Sequence, residues 1–156
     1  MSIENEKVEL SPQYNPKEVE EKNLTQLEKA LRELGESGYI DYEMMRDALR
    51  REGEFNFIDG ETGVKVDFWI LKQNDFDKSR IGRRVAKEIL GKTVYFSTPE
   101  DLVLIKLKWY QESASSRQKE DVESIYKISG QELDMNYINA WAGKLGLIDM
   151  LNEIIK

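Results

Sequence analysis

The chain has 156 residues, 40% of them hydrophobic and 10% aromatic, which is enough to enclose a core and too apolar for a disordered chain. Cysteine and histidine are both absent, which excludes disulfides, thiolate chemistry, Ser-His or Cys-His relays and zinc sites; oxygen ligation by Asp and Glu, suited to Mg²⁺ or Mn²⁺, is what remains. The net charge of −7 argues against a general nucleic-acid coat, and no apolar run reaches the roughly 18 residues of a membrane span. The opening MSIENEKVEL has no apolar export core, so a cytoplasmic protein is expected, and the Lys- and Glu-rich composition also suits a thermophile's surface.

Residues 1–15 are polar and read as a flexible end with a short strand at Lys7–Leu10. Pro16 opens a helix to about Leu34, with Val19, Leu24, Leu27, Ala30, Leu31 and Leu34 at helical spacing and Gly35 as its stop. After the turn GESG, a second helix from Tyr42 to Arg50 turns Met44, Met45, Ala48 and Leu49 inward. The period then changes to two. Glu54–Ile58 and Val64–Leu71 read as strands joined by DGETG, the second with Val64, Val66, Phe68 and Ile70 on one face and Lys65, Asp67, Trp69 and Leu71 on the other. A polar helix from Phe76 to Leu90 and a strand at Thr93–Ser97 follow.

Thr98-Pro99-Glu100-Asp101 is the clearest helix start: an N-capping hydroxyl, a proline at the first turn and two acids facing the positive end of the dipole. Leu102, Ile105 and Trp109 are expected to line that helix's inner face, and Val122, Ile125 and Ile128 that of the next, Arg117–Ile128. Helices at Tyr137–Lys144 and Leu147–Ile155 close the chain. The order predicts a single α/β (α+β) domain: a small mixed or antiparallel sheet covered by helices, with residues 98–156 as a helical C-terminal part.

Four features bear on chemistry. Asp67 is an acid in mid-strand, readable as a metal ligand or as a solvent-facing side chain paired with Lys65. Lys106, with Lys108, sits at the edge of an apolar helix face, where it would reach a polyphosphate or simply snorkel. Arg117 and Asp121 are one helical turn apart, readable as a site or as a surface ion pair. The bases Lys78, Arg80, Arg83, Arg84 and Lys87 read as a solvated helix face or as an anion-binding cluster.

Taken together, FNFIDGETGVKVDFWILKQNDFDKSR, VYFSTPEDLVLIKLKWY and SSRQKEDVESIYKI resemble the small prokaryotic nucleotidyltransferase-like proteins, relatives of the toxins of abortive-infection toxin–antitoxin pairs. The resemblance runs from about Tyr39 to the C-terminus. It implies metal-assisted nucleotidyl transfer, with Asp67 as one metal-binding carboxylate, Lys106 and Arg117 as nucleotide-binding residues and Asp121 as the acid of the last motif. The family's Gly-Ser turn and Asp-x-Asp strand are missing, which reads as a shortened N-terminus, with Glu4 and Glu6 as speculative stand-ins.

Three expectations follow: a catalytically incomplete nucleotidyltransferase-like protein that binds nucleotide or RNA weakly; an active Mg²⁺- or Mn²⁺-dependent enzyme completed by Glu4 and Glu6 or by a partner chain; or a non-enzymatic interaction module, as a homodimer or with a partner protein, with no membrane association.

Overall fold

A computed structural model describes residues 16–34 and 37–155, with side chains from residue 22 onward. Glu4, Glu6 and the strand expected at Lys7–Leu10 lie outside the described residues. The fold is mixed α and β, with seven helices and four antiparallel strands among the described residues. It divides into two compact units, the first ending at Lys72 and the second beginning at Gln73. None of the described helices is long and apolar enough to cross a membrane.

The first unit contains α1 (Pro16–Arg32), α2 (Tyr42–Arg51), β1 (Glu54–Ile58) and β2 (Lys65–Trp69). The Asp41 side chain caps α2 by accepting the Met44 N–H at 3.0 Å. Leu24 and Leu31 of α1 meet Met45 and Ala48 of α2, Phe55 and Phe57 of β1, and Ile40 in one buried cluster. The period of two is visible in β1, where the phenylalanines are buried and Glu54 and Ile58 are exposed. Phe55 stacks on its cross-strand partner Phe68 with ring centroids 4.9 Å apart. The loop between the strands is held by Asp59, whose carboxylate accepts the backbone N–H groups of Glu61 and Thr62 and the Thr62 hydroxyl. Not all of the apolar face predicted for β2 is covered. Phe68 and Ile70 pack on the cluster, but Val64 and Val66 are exposed, because α2 packs chiefly on β1.

The second unit contains α3 (Asp75–Arg83), β3 (Val85–Ile89), β4 (Lys92–Phe96), α4 (Pro99–Ser113), α5 (Ser116–Ser129), α6 (Met135–Leu145) and α7 (Ile148–Ile154). Its core joins Phe76, Val103, Leu104, Leu107, Val122, Ile138, Ala142 and Leu151. The helix expected from Phe76 to Leu90 is cut at Arg83. Leu90 and Gly91 take left-handed conformations, φ 50° and 72°, in a two-residue turn that folds Val85–Ile89 back against Lys92–Phe96. The four strands therefore form two separate two-stranded sheets.

Helix α4 is also rotated from its expected face. It buries Glu100, Asp101, Val103, Leu104 and Leu107, leaving Leu102 exposed and Ile105 and Trp109 partly buried. Val103, Leu104 and Leu107 fall on one helix face, and Glu100 and Asp101 extend that same face to the helix start. Ile128, expected inside, is 85% exposed at the end of α5.

A candidate functional site in the second unit

The residues singled out in the sequence fall in both units. Asp67 lies on β2, opposite Asn56 of β1, with an exposed carboxylate 2.8 Å from Lys65 Nζ. Side chains two apart share a strand face, so this local pairing needs no ligand to explain it. Among the described residues no three acidic side chains come together in a way that would hold a metal ion. Mg²⁺ dehydrates reluctantly and needs several charged oxygens, so the described donors do not fit the two-metal centre that the family resemblance implies.

In the second unit two of the expected residues, Lys106 and Asp121, meet across one helix pair, and a third, Arg117, lies on the same pair. Lys106, midway along α4, extends to Asp121 of α5 with Nζ 2.7 Å from Oδ2. The ammonium also lies 5.2 Å from the centroid of the Trp109 ring, one turn further along α4. Arg117 is exposed one turn before Asp121. Asp121 thus closes a contact between helices, in place of the surface pair with Arg117 that the spacing allowed. Lys106 is about three-quarters buried at 23% side-chain exposure, while Asp121 is 38% exposed, so water screens the pair and it contributes no more than about 1 kcal/mol. Lys108 is partly buried on the same helix.

A second, more enclosed polar cluster lies where α3, the start of α4 and α6 converge. Asp101 is wholly buried. Its Oδ2 accepts the Thr98 hydroxyl at 2.9 Å and its Oδ1 accepts the Tyr137 hydroxyl at 2.7 Å. The Asp101 N–H in turn donates to Thr98 Oγ at 3.3 Å, completing a reciprocal helix cap. Because the Tyr137 proton goes to Asp101, the Ser79 hydroxyl, 3.1 Å from the phenol oxygen, is the donor in that contact. Arg83 lies over the Tyr137 ring, its Cζ 3.8 Å from the centroid. Its Nη2 donates to Glu100 at 3.3 Å. Its Nε lies 3.5 Å from Asp101, within ion-pair range but not aligned as a hydrogen bond, so that buried N–H has no such partner. The other Glu100 oxygen accepts the Asp134 N–H at 3.2 Å.

Of this cluster, the sequence marks only the helix cap: a hydroxyl and an acid three residues apart. Arg83 was expected on a solvated basic face together with Arg80, Arg84, Lys78 and Lys87. Instead it turns in to two carboxylates, and Arg80 pairs with Asp77 at 2.6 Å. Nothing local announces Tyr137.

The titrating groups around the cluster have a definite pH signature. Burial of Glu100 favours its neutral form. Hydrogen bonds from its own backbone N–H and the Asp134 N–H, with the charge of Arg83, outweigh burial and hold its pKa below the usual value. A lowered folded pKa means stability that is present above the ordinary carboxylate range and is lost as pH falls through the folded value. For Tyr137, burial raises the phenol pKa; the Ser79 hydrogen bond and Arg83 oppose this and Asp101 reinforces it. That contribution is complete below the ordinary phenol value and disappears as pH rises through the raised one. In urea unfolding, Glu100→Gln is expected to remove part of the loss of stability between about pH 5 and pH 3, and Tyr137→Phe part of the loss above about pH 10. Variant profiles parallel to the parent at both ends would show that neither group is linked to folding.

No family model, no curated protein and no solved structure matches this chain.

Proposed function

We propose that the chain is a nucleotidyltransferase-like protein that retains a polyphosphate-binding helix pair but does not by itself assemble the metal centre for transfer. The observation that carries this reading is the meeting of Lys106 and Asp121 at 2.7 Å across α4 and α5, with Arg117 one turn away. These three residues come from two of the sequence segments that resemble the family. A lysine with a packed stem and an adjacent arginine is a suitable pair of donors for a triphosphate. Asp121 occupies Lys106, so phosphate binding competes with the ion pair, which favours weak affinity. The engagement of Asp67 by Lys65 supports the incomplete reading.

Titration with a fluorescent ATP analogue tests the binding half. Lys106→Ala and Arg117→Ala should each weaken binding by about tenfold, the worth of one charge-assisted hydrogen bond. Asp121→Asn should strengthen it severalfold by freeing Lys106. No measurable binding, or weaker binding by Asp121→Asn, would overturn the assignment. Incubation with Mg²⁺ or Mn²⁺, labelled nucleoside triphosphates and tRNA tests the other half. Robust label transfer by the purified chain, abolished by Asp67→Asn, would replace this reading with that of an active enzyme completed by Glu4 and Glu6.

A further inference from the structure

The ribbon of β3 and β4 is exposed on both faces along its whole length. Two-stranded hairpins are at best marginally stable alone and ordinarily pack one face on a core. The register Val85↔Phe96, Lys87↔Val94 and Ile89↔Lys92 puts these six side chains on one face. That face therefore carries four large apolar side chains, each more than a third exposed, and two lysines. Among the described residues neither lysine is ion-paired. The ribbon's one acid, Glu88, is on the opposite face and accepts the Thr93 hydroxyl at 2.7 Å. At the tip, Leu90 is 99% exposed and holds φ 50°, a left-handed conformation that a leucine takes only at some cost. A bare apolar side chain at a strained turn works against stability and solubility, so it points to use as an anchor.

We infer that this face of the ribbon docks an extended segment of a second protein whose inward-facing side chains alternate between apolar and acidic, with Leu90 packing against one end of that segment. Charge complementarity selects the partner: carboxylates spaced along an extended segment would meet Lys87 and Lys92 between the apolar positions. The two lysines count against a second copy, since pairing this face with itself would bring four ammonium groups into one small interface. The distribution of apolar groups counts against a lipid surface, which would take the tip and leave Val85 and Phe96, roughly 17 Å back along the ribbon, in water. A partner lying along the face covers all of it. This inference is independent of the phosphate-binding reading of α4 and α5.

The test uses the full chain and two short fluorescent peptides, one repeating Val-Ser-Glu-Ser and the other Val-Ser-Lys-Ser, so that valine and the charged residue share one strand face. The glutamate peptide should bind at least about tenfold more tightly than the lysine peptide, and Lys87→Glu with Lys92→Glu should reverse that preference. Leu90→Ser, which leaves both lysines in place, should weaken the glutamate peptide severalfold. Equal binding of both peptides, or of neither, would overturn the proposal. So would sedimentation of the chain with phosphatidylserine–phosphatidylcholine vesicles that Leu90→Ser abolishes, or a dimer in light scattering that the same substitution dissolves.

Discussion

Replacing Asp101 by alanine is expected to destabilise the second unit by about 3 to 5 kcal/mol, the range for removing one member of a buried ionic contact and stranding the others. Asp101 is wholly buried and is shared by Thr98, Tyr137 and Arg83. Without it, a hydroxyl at the start of α4 and a phenol on α6 lose their acceptor, and the Arg83 guanidinium loses one of its two ion-pair partners. Asp101→Asn keeps the shape and an acceptor for Tyr137, so its cost should be nearer 1 to 2 kcal/mol, roughly that of a weakened hydrogen bond. Urea unfolding followed by far-ultraviolet circular dichroism separates the two. If alanine costs no more than asparagine, the cluster is not held together through this carboxylate. The triphosphate binding proposed for Lys106 and Arg117 should be unaffected by Asp101→Asn, because none of the cluster's contacts involves either residue.

The largest effect expected in the first unit comes from Phe55→Ala, at about 3 to 5 kcal/mol. Phe55 is 3% exposed, sits among Leu24, Met45 and Ala48, and stacks on Phe68 at 4.9 Å. The substitution leaves a ring-sized void and removes the aromatic pair, which adds about 0.5 to 1.5 kcal/mol beyond burial alone. Phe55→Leu refills most of the volume and should recover more than half of the loss. Tryptophan emission from Trp69, paired with Glu54 at the next rung of the same hairpin, gives a local readout beside circular dichroism once Trp109 and Trp141 are replaced by phenylalanine. A loss below about 1 kcal/mol would mean that the unit relaxes around the hole and that its core is loosely specified.

Much of the fold is legible in the chain itself where the signal is local. The change from a period near four to a period of two places β1 and the hairpin with β2 correctly, because alternation along a strand needs no knowledge of its partner. Thr98-Pro99-Glu100-Asp101 marks the start of α4 to the residue, because capping acts within a single turn. The β3 half of the second hairpin is not legible in the sequence, because Val85-Ala86-Lys87-Glu88-Ile89 also satisfies helical periodicity. The decision is made at Leu90-Gly91, where a left-handed pair turns the chain back.

The sequence alone therefore determined the order of the helices, the hairpin of β1 and β2, the chemistry that lacking cysteine and histidine forbids, and the capped helix that carries Lys106. Packing decided the rest. Asp121 takes Lys106 of another helix because α4 and α5 lie side by side. Asp101 faces inward because Tyr137, 36 residues away, brings a hydroxyl to meet it. A buried carboxylate is tolerable only where donors arrive from several elements at once, and that convergence is a property of the assembled unit, which no spacing along the chain encodes.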